Sequence, residues 1–292
     1  MLVTVFTPTY NRAYILEHLY QSLCLQTCKD FEWLIVDDGS TDNTEDLVNA
    51  WLSGNSFSIR YIRQKNGGKH RAINNGIQSA KGELFYIVDS DDQLPPNAIG
   101  DIIKVYSDIK DDSEFAGVCG LKYYFDGVKV GDSFTHEVLD CSMLDFRYVH
   151  KMKGDMAEVF KTEVLKCFPF PEFEGERFCP EAVVWNRIGC KYKMRYFNKD
   201  IYHCDYLPDG LTAKIVQIRM KSPQTTMLCY SELCKMRVPF SIKVKSAVNF
   251  WRFAFCSKES FKTKVKMVGA MTFPLMFLGL AMHLKDKMKF QD

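Results

Sequence analysis

The sequence lacks several features that would place a protein in a class at once. Its eleven cysteines include no CxxC pair, it contains no low-complexity stretch or internal repeat, and its formal net charge is only +2. An odd number of scattered cysteines argues against a disulfide framework and predicts mostly reduced core thiols in a cytosolic compartment. With 47% hydrophobic and 25% charged residues, disorder and a collagen-like fold are excluded. The 292 residues suffice for one catalytic α/β domain with extensions.

A targeting signal and two common nucleotide-binding motifs are also missing. Residues 1–6 carry no charged segment ahead of the apolar run, so we expect a first strand there and no signal peptide. No GxGxxG follows that strand, which disfavours a dinucleotide-binding domain. Residues 66–71 are not a Walker A loop, because Arg63 and Gln64 stand where its first glycine is required and His70 replaces Ser or Thr.

Short apolar runs alternate with helical periodicity over the first ninety residues. Strands are predicted at 2–6, 31–36, 58–62 and 84–88, and helices at 13–25, 44–51 and 72–80. This alternation predicts βαβ units around a mostly parallel sheet, whose ligands bind beyond the carboxyl ends of the strands. Polar clusters at 7–12, 37–40 and 89–92 follow three of these strands. We therefore expect them to converge on one crevice.

The cluster after the fourth strand contains three carboxylates in four residues: Asp89, Asp91 and Asp92. Such carboxylates repel one another unless a cation compensates them. Mg²⁺ or Mn²⁺ would do so while leaving coordination sites for water and a diphosphate. The alternative is an acidic turn that caps the helix after Pro95 and Pro96.

The other two clusters are suited to a nucleotide. Asp38, at the exit of the second strand, is placed to accept a hydrogen bond from a base or a ribose, whereas residues 41–45 resemble a helix-capping box. Gly67, Gly68 and Lys69 open a helix after a strand, as phosphate-binding helix N-termini do. A simple turn remains the alternative for this segment.

Taken in order, these clusters resemble the family 2 inverting glycosyltransferases, which have the GT-A fold. The resemblance covers nearly all of residues 2–100 and adds the motifs at 26–27, 72–77 and 80–83 to the clusters above. It implies an α/β fold of the GT-A type, a Rossmann-like and mostly parallel sheet, followed here by a basic and apolar helical extension. Segments 154–160 and 205–212 are similar to a subgroup that builds bacterial surface polysaccharides.

The resemblance also implies roles for particular residues. A divalent metal, Mn²⁺ or Mg²⁺, would be held mainly by Asp91, with Asp89 reaching the ribose or the water shell of the metal. Loop 205–212 would close near the diphosphate. The nucleotide pocket would be formed by Thr7, Thr9 and Arg12 as lining residues, Asp38 at the base, Lys69 near the diphosphate and Asp89. Asp155 and Asp92 are assigned more weakly to the acceptor or donor-sugar side.

An inverting transferase needs a general base to remove the proton of the acceptor hydroxyl. Family members place an acidic pair at a helix start in the second half of the domain, and the matching stretch here is 175–186. Glu181 is our candidate, since the positive end of a helix favours its ionised form. Ala182 occupies the place of the second acid, which leaves Glu176 as the alternative base.

Charge is distributed unevenly along the chain. Residues 1–213 hold 23 Lys/Arg and 32 Asp/Glu, a net −9, whereas residues 214–292 hold 15 and 4, a net +11. Residues 267–284 contain no charged side chain and are flanked by lysines. As a helix this stretch would be about 27 Å long, marginal for a bilayer core of about 30 Å. An interfacial helix pair with 240–255, lying on anionic lipid, is expected, and a helix closing the core is the alternative. Nucleic acid is a poor partner for basic residues among aliphatics.

The sequence thus predicts a metal-dependent inverting glycosyltransferase that moves a sugar from a nucleotide-sugar, with UDP as the expected nucleotide, to a glycan acceptor linked to a lipid. Residues 1–112 would bind the donor, 113–213 would bind the acceptor and carry the base, and 214–292 would contact the cytoplasmic face of the membrane through 240–290. This implies a cytoplasmic protein peripherally associated with the membrane. The alternatives are a sugar-nucleotide pyrophosphorylase and a non-catalytic, membrane-associated assembly subunit.

Overall fold

The structure is a computed structural model that describes residues 1–53, 57–132, 136–205, 210 and 212–290. The chain forms two compact units. The first unit consists of Met1–Pro169 and Ile188–Asp205, and the second of Phe170–Arg187 and Tyr206–Asp292. The boundary near residue 205 lies close to the change in charge at 213. The functional division at 112 and 213 stays a prediction.

The described part of the first unit contains an eight-stranded sheet. Its strands are β1 (Val3–Thr9), β2 (Phe31–Asp37), β3 (Ser58–Arg63), β4 (Leu84–Ile87), β5 (Phe115–Tyr124), β6 (Val138–Ser142), β7 (Ala157–Lys161) and β8 (Lys193–Cys204). The strand order is β3-β2-β1-β4-β7-β5-β8-β6. Strands β1 to β4 pair in parallel, as predicted, whereas β7 runs antiparallel to both β4 and β5. The result is the mixed α/β sheet that the GT-A resemblance implies.

Helices cover this sheet and explain its continuous apolar strands. Every residue of β1 and β2 is buried, as expected for parallel strands covered on both faces. Trp33 of β2 stacks with the Trp51 ring, and both stack with Tyr20. The helices of the first unit are α1 (Leu16–Cys24), α2 (Thr44–Trp51), α3 (Lys69–Ser79), α4 (Ala98–Ser107), α5 (Met143–Tyr148) and α6 (Thr162–Cys167).

Strand β8 is twelve residues long and pairs with two neighbouring strands. Strand β6 pairs with the first half of β8, where Phe197 faces Val138. Strand β5 pairs with β8 on both sides of an irregularity, so β8 continues without a break. That irregularity is a shift in register between Cys119 and Leu121 of β5, where β8 advances by extra residues. Sequence periodicity does not reveal such a bulge.

The second unit is helical. Its core packs Met227, Ala247, Phe250 and Trp251 with further small and apolar residues. Helix α7 (Ala182–Gly189) lies at the boundary: its residues up to Arg187 belong to the second unit and its last two to the first. The remaining helices are α8 (Ile215–Lys221), α9 (Pro223–Lys235), α10 (Phe240–Ala254), α11 (Phe261–Val268) and α12 (Leu275–Lys289), with 3-10 turns at Thr212–Lys214 and Ala270–Thr272.

The predicted membrane-facing helix pair needs a correction. Phe250 and Trp251 of α10 are at most 1% exposed, because α10 packs against α9 and α12 as the centre of the second unit. The uncharged stretch 267–284 is divided among the end of α11, the Ala270–Thr272 turn and α12. Of the helices in the described ranges, none has both the length and the apolar character needed to cross a bilayer.

All eleven cysteines lie in the described part of the chain, and no disulfide joins any of them. The reduced state of the thiols stays a prediction. Five of them, Cys119, Cys141, Cys179, Cys204 and Cys229, are buried. With Cys28 and Cys234, which are partly buried and pack against the cores of their units, seven of the eleven contribute to a core, as expected.

Candidate active site

The turn after β4, residues 89–92, carries the three predicted acidic side chains, and we call it the acid loop. The ammonium nitrogen of Lys69 lies 2.8 Å from Oδ1 and 2.9 Å from Oδ2 of Asp89. Lys69 is the first residue of α3, and Gly68 before it has a φ of 99°, which residues with a side chain rarely adopt. The glycine thereby allows α3 to start beside the end of β4. Two predicted donor-site residues thus meet.

Arg12 lies beside the second carboxylate of the loop. Its Nη2 is 3.9 Å from Oδ2 of Asp91, and the two side chains are 17% and 19% exposed. The guanidinium also contacts the hydroxyl and the ring of Tyr14. At this distance the Arg12–Asp91 pair is electrostatic, and the guanidinium brings positive charge to the acid loop.

The three carboxylates of the acid loop titrate differently. Burial opposes the ionisation of Asp89, but Lys69, Lys122 and Arg12 outweigh it and lower the pKa of Asp89. Burial and repulsion from Asp89 raise the pKa of Asp91. Burial and the charge of Asp89 also raise the pKa of Asp92, to about 8. Ionisation of Asp91 is therefore disfavoured by burial and by its acidic neighbour, and an added cation would favour it.

Asp92 is turned away from the crevice. It is 7% exposed, and its Oδ2 accepts a hydrogen bond of 2.5 Å from the Tyr202 hydroxyl. The weak assignment of Asp92 to the acceptor or donor-sugar side is not supported by this geometry, because the carboxylate faces the protein interior. Sequence reasoning also missed Tyr202, since its partner in the loop lies 110 positions away.

Lys122 of β5 is a second residue that the sequence did not single out. Its ammonium lies 4.1 Å above the centre of the Tyr202 ring. Burial alone would lower the pKa of Lys122, but the carboxylates of Glu158, Asp92, Asp89 and Asp155 raise it. Lys122 is therefore a permanent positive charge beside the acid loop.

Asp38 shapes the loop that leads into α3. Its Oδ1 accepts the Gly67 N–H at 2.9 Å and the Gln64 side-chain amide at 2.8 Å, and its Oδ2 accepts the Gly68 N–H at 2.7 Å. The carboxylate is 4% exposed. Most of its acceptor capacity is thus used within the protein. Contact with a nucleobase stays a prediction that would involve its remaining lone pair.

Thr7 and Thr9, both predicted to line the nucleotide pocket, differ in the structure. Thr7 is fully buried, and its hydroxyl accepts a hydrogen bond of 2.9 Å from the Trp33 indole, so it supports the core instead of facing a pocket. Thr9, the last residue of β1, is 3% exposed, and its hydroxyl has no hydrogen-bond partner among the described residues. An unpaired buried hydroxyl at a strand end fits a site that a ligand completes.

The two candidate bases lie in the second unit and have distinct surroundings. Glu181 directly precedes α7 and is half-buried, and its backbone carbonyl accepts hydrogen bonds from Val184 and Trp185. Glu176 is 4% exposed and accepts three hydrogen bonds: from the Gln224 N–H at 2.6 Å, and from the N–H and hydroxyl of Thr225, both at 2.9 Å. Glu176 therefore caps the N-terminus of α9, and the structure disfavours it as the base.

Asp155 lies exposed just before β7. Its carboxylate is among those that raise the pKa of Lys122, so it lies within electrostatic range of that residue. Of the predicted closing loop 205–212, residues 206–209 and 211 lie outside the described residues.

The chemistry of the acid loop fits a metal that is completed by a substrate. Within the described ranges, no group of three or more His, Cys, Asp or Glu side chains is placed to hold a metal ion. Asp91 is the carboxylate of the loop that combines partial exposure with a raised pKa. Mg²⁺ typically takes one or two protein carboxylates together with water and substrate phosphates. Asp91, with Asp89 beside it, supplies that donor set.

The mixed α/β sheet, the acid loop after β4 and the three cations beside that loop match the GT-A class of glycosyltransferases. The family model described as "Glycosyl transferase family 2" matches residues 4–159, slightly more than half of the chain. The chain therefore belongs to glycosyltransferase family 2. This confirms the predicted enzyme class over the pyrophosphorylase and the non-catalytic subunit.

Sequence relatives carry related names. The chain is 40% identical over 98 residues to the chondroitin synthase of Pasteurella multocida (strain Pm70), covering 34% of this chain but 10% of that protein. It is 29% identical over 203 residues to the GalNAc(5)-diNAcBac-PP-undecaprenol beta-1,3-glucosyltransferase of Campylobacter jejuni, covering 68% of this chain and 62% of that protein. The chain thus spans from a tenth to about three fifths of these two relatives.

Solved structures show the same fold. Staphylococcus aureus TarS 1-349 in complex with UDP-GlcNAc superposes with a TM-score of 0.68 at 18% identity, over 98% of this chain and 89% of that one. The mannosyltransferase PcManGT from Pyrobaculum calidifontis, in complex with GDP-Man and Mn2+, gives 0.58 at 17% identity, over 98% and 87%. These likenesses confirm the predicted GT-A fold.

Proposed function

We propose that the protein is a metal-dependent inverting glycosyltransferase that transfers a sugar from a UDP-sugar to a lipid-linked glycan during the synthesis of a bacterial capsule, exopolysaccharide or O-antigen. The observation that carries this proposal is the acid loop, with Lys69 on Asp89 and Arg12 beside Asp91. A sugar that leaves a nucleoside diphosphate transfers negative charge to that diphosphate, and fixed cations stabilise it.

Each residue of the donor site has a defined task in this proposal. Lys69, held against Asp89, and Arg12 together present positive charge to the diphosphate, and the Thr9 hydroxyl hydrogen-bonds the nucleoside end of the donor. Asp91 would hold a divalent cation, Mn²⁺ or Mg²⁺, which would supply Lewis-acid stabilisation of the leaving diphosphate. The raised pKa of Asp91 supports this role, because a bound cation favours its ionised form.

Glu181 is proposed as the general base. It would accept the proton of the acceptor hydroxyl while the oxygen attacks the anomeric carbon from the side opposite to the diphosphate, so that the configuration inverts. Its position directly before α7 supports this assignment, since the positive end of a helix stabilises a carboxylate that must be ionised to act. The hydrogen bonds that Glu176 accepts from the backbone of Gln224 and Thr225 support the choice of Glu181 over Glu176.

The comparisons support the choice of substrates. A UDP-GlcNAc complex of TarS and the name of the Campylobacter jejuni relative, which contains PP-undecaprenol, point to a UDP-sugar donor and a lipid diphosphate acceptor. The GDP-Man complex of PcManGT makes a GDP-sugar the competing donor class. We assign UDP because the TarS complexes with UDP and UDP-GlcNAc superpose with higher TM-scores, 0.66 and 0.68, than the GDP-Man complex, 0.58.

We place membrane contact on α11, the turn after it and α12. The outward face of this region exposes Met271, Phe277 and Leu278 to 97%, 61% and 57%, together with Phe261, Phe273, Leu284 and Met288. Exposed lysines lie in the same two helices, at 262 and 266 of α11 and at 285, 287 and 289 of α12. An apolar face framed by lysines fits the interface of an anionic membrane, and each nearby lysine adds about 1 kcal/mol there. Peripheral attachment to the cytoplasmic leaflet would bring the enzyme to its lipid-linked acceptor.

The test of the proposed reaction is nucleotide release from a panel of UDP- and GDP-sugars with Mn²⁺, using the wild type and Asp91→Asn. We expect release from a UDP-sugar and a loss of at least about 100-fold in kcat/KM for Asp91→Asn. Asp46→Asn, an equal charge change on the exposed side of α2, is the matched control and keeps full activity. Full turnover by Asp91→Asn would overturn the metal assignment, and release from GDP-sugars alone would overturn the donor class.

A further inference from the structure

One hydroxyl joins the acid loop to strand β8. The Tyr202 hydroxyl accepts the Asp89 N–H at 3.0 Å and donates to Oδ2 of Asp92 at 2.5 Å. Directly after the loop, Gln93 and His203 exchange backbone hydrogen bonds of 2.9 and 2.8 Å. Strand β8 therefore holds both ends of the turn whose middle carries Asp91.

The position of this hydroxyl is set by the sheet and not by the loop. Tyr202 is 2% exposed, and its ring packs edge-on against Tyr86 of β4 with 6.2 Å between the ring centres. Lys122, which faces Tyr202 across the β5–β8 pairing, covers the other part of the ring at 4.1 Å. Because the core fixes the ring, the loop must adapt to the hydroxyl.

The turn itself has a shape that needs such an anchor. The Asp92 N–H donates to the Asp89 carbonyl at 3.2 Å, which closes residues 89–92 into a tight turn. Within it, Asp89 points to Lys69, Asp91 lies beside Arg12, and Asp92 points inward. A group that accepts one hydrogen bond and donates another can hold both ends of this turn at once, and a phenol hydroxyl does so.

We propose that Tyr202 is a positioning residue of the donor site: its hydroxyl holds the acid loop in the shape that presents Asp91 to the metal and diphosphate of the donor. The inference rests on the proposed function and adds to it a residue that acts through the loop without touching the substrate. Lys122 supports this role by packing on the ring that carries the hydroxyl.

The test compares Tyr202→Phe with Tyr106→Phe. Both substitutions remove a buried phenol hydroxyl that donates to a carboxylate at 2.5 Å, but Tyr106 bonds Glu83, which precedes β4, whereas the acid loop follows that strand. Calorimetry measures the Kd of UDP with and without Mn²⁺, nucleotide release gives kcat and KM, and thermal unfolding gives Tm. We expect Tyr202→Phe to weaken Mn²⁺-dependent UDP binding and raise the donor KM by about 10- to 100-fold, as for one or two lost hydrogen bonds. Tyr106→Phe should leave both unchanged at a similar loss of Tm.

Equal UDP affinity and KM in the two variants would overturn the inference and leave Tyr202 a purely structural residue. If Tyr202→Phe does not fold, the same hydrogen bond is removed from the loop side. Asp92→Leu should then lose Mn²⁺-dependent UDP binding about tenfold, whereas Asp92→Asn, which keeps an acceptor oxygen for the hydroxyl, should retain it. Wild-type affinity in Asp92→Leu refutes the inference. A wild type that shows no Mn²⁺-dependent nucleotide binding refutes the proposed function itself, which separates the two failures.

Discussion

Glu176 and Glu181 are five residues apart and chemically identical, yet the structure predicts opposite consequences for their substitution by Gln. Glu176 is 4% exposed and caps α9 with both carboxylate oxygens, whereas Glu181 is half-buried at the start of α7. We expect Glu176→Gln to lower stability without affecting chemistry. Glu181→Gln should lower transfer by orders of magnitude and cost at most about 1 kcal/mol of stability, the contribution of a carboxylate at a helix N-terminus.

The magnitude for Glu176 follows from its contacts. If the amide oxygen of the new Gln replaces Oε2, it keeps both hydrogen bonds to Thr225, but its NH2 group then faces the Gln224 N–H and the bond of 2.6 Å is lost. A hydrogen bond to a charged group contributes about 1.5 to 3 kcal/mol, and a carboxylate at a helix N-terminus up to about 2 kcal/mol. Relief from burying a charge offsets part of this. We therefore expect a net loss of about 2 to 3 kcal/mol, or about 5 to 10 °C in Tm.

For Glu181, loss of a general base predicts a decrease in kcat of about 10²- to 10⁴-fold with unchanged donor binding. Thermal unfolding and nucleotide release on both variants measure the contrast, and Glu174→Gln, an exposed acid in the same segment, is the control. The reasoning is refuted if Glu176→Gln retains its Tm and loses activity, or if Glu181→Gln turns over normally.

Three further predictions concern the acid loop and the second unit. Burial and the charge of Asp89 raise the pKa of Asp92 to about 8, so the folded state holds a proton that the unfolded state releases above about pH 4. The stability of the wild type should therefore fall as the pH rises towards 8. The Tm of Asp92→Asn should rise relative to that of the wild type between pH 5 and 8, and a Tm difference that stays constant over this range would contradict the prediction. Asp286→Asn should cost about 2 to 3 kcal/mol in urea unfolding, since the Arg252 guanidinium bridges α10 to this carboxylate at 2.8 Å with both side chains largely buried. Phe277→Asp should reduce several-fold the fraction of protein that sediments with anionic vesicles. Leu25→Asp, at a similarly exposed site in the first unit, should not reduce it. Equal vesicle binding by both variants would show that α12 does not contact the membrane.

Much of the first unit could be predicted from local pattern. The parallel order of β1 to β4 follows from alternating apolar runs and helical periodicity, and the strand-end position of the acid loop follows from the same alternation. The proximity of Lys69 and Asp89 could be predicted, because both residues follow strands that end at the same edge of the sheet.

Other features depended on partners that are remote in the chain. Glu176 and Glu181 are both acids near a predicted helix start, and only the contact of Glu176 with Thr225 separates their roles. Thr7 and Thr9 alternate on β1, but the burial of Thr7 under Trp33 was decided by the neighbouring strand. From the sequence, the aromatic residues of α10 could face either a lipid surface or a helical core. In the structure they are buried in the core, because α10 packs against α9 and α12.

By itself, the sequence determined the family, the sheet and the presence of an acidic strand end beside cationic residues, because each of these depends on residue type and short spacing. The tertiary structure decided which carboxylates remain open to a ligand. Asp38, Asp92 and Glu176 are held by hydrogen bonds from Gly68, Tyr202 and Thr225, whereas Asp91 keeps its partial exposure beside Arg12. The physical reason is that a carboxylate's role is set by the donors around it, and those donors come from segments that meet only when the chain folds.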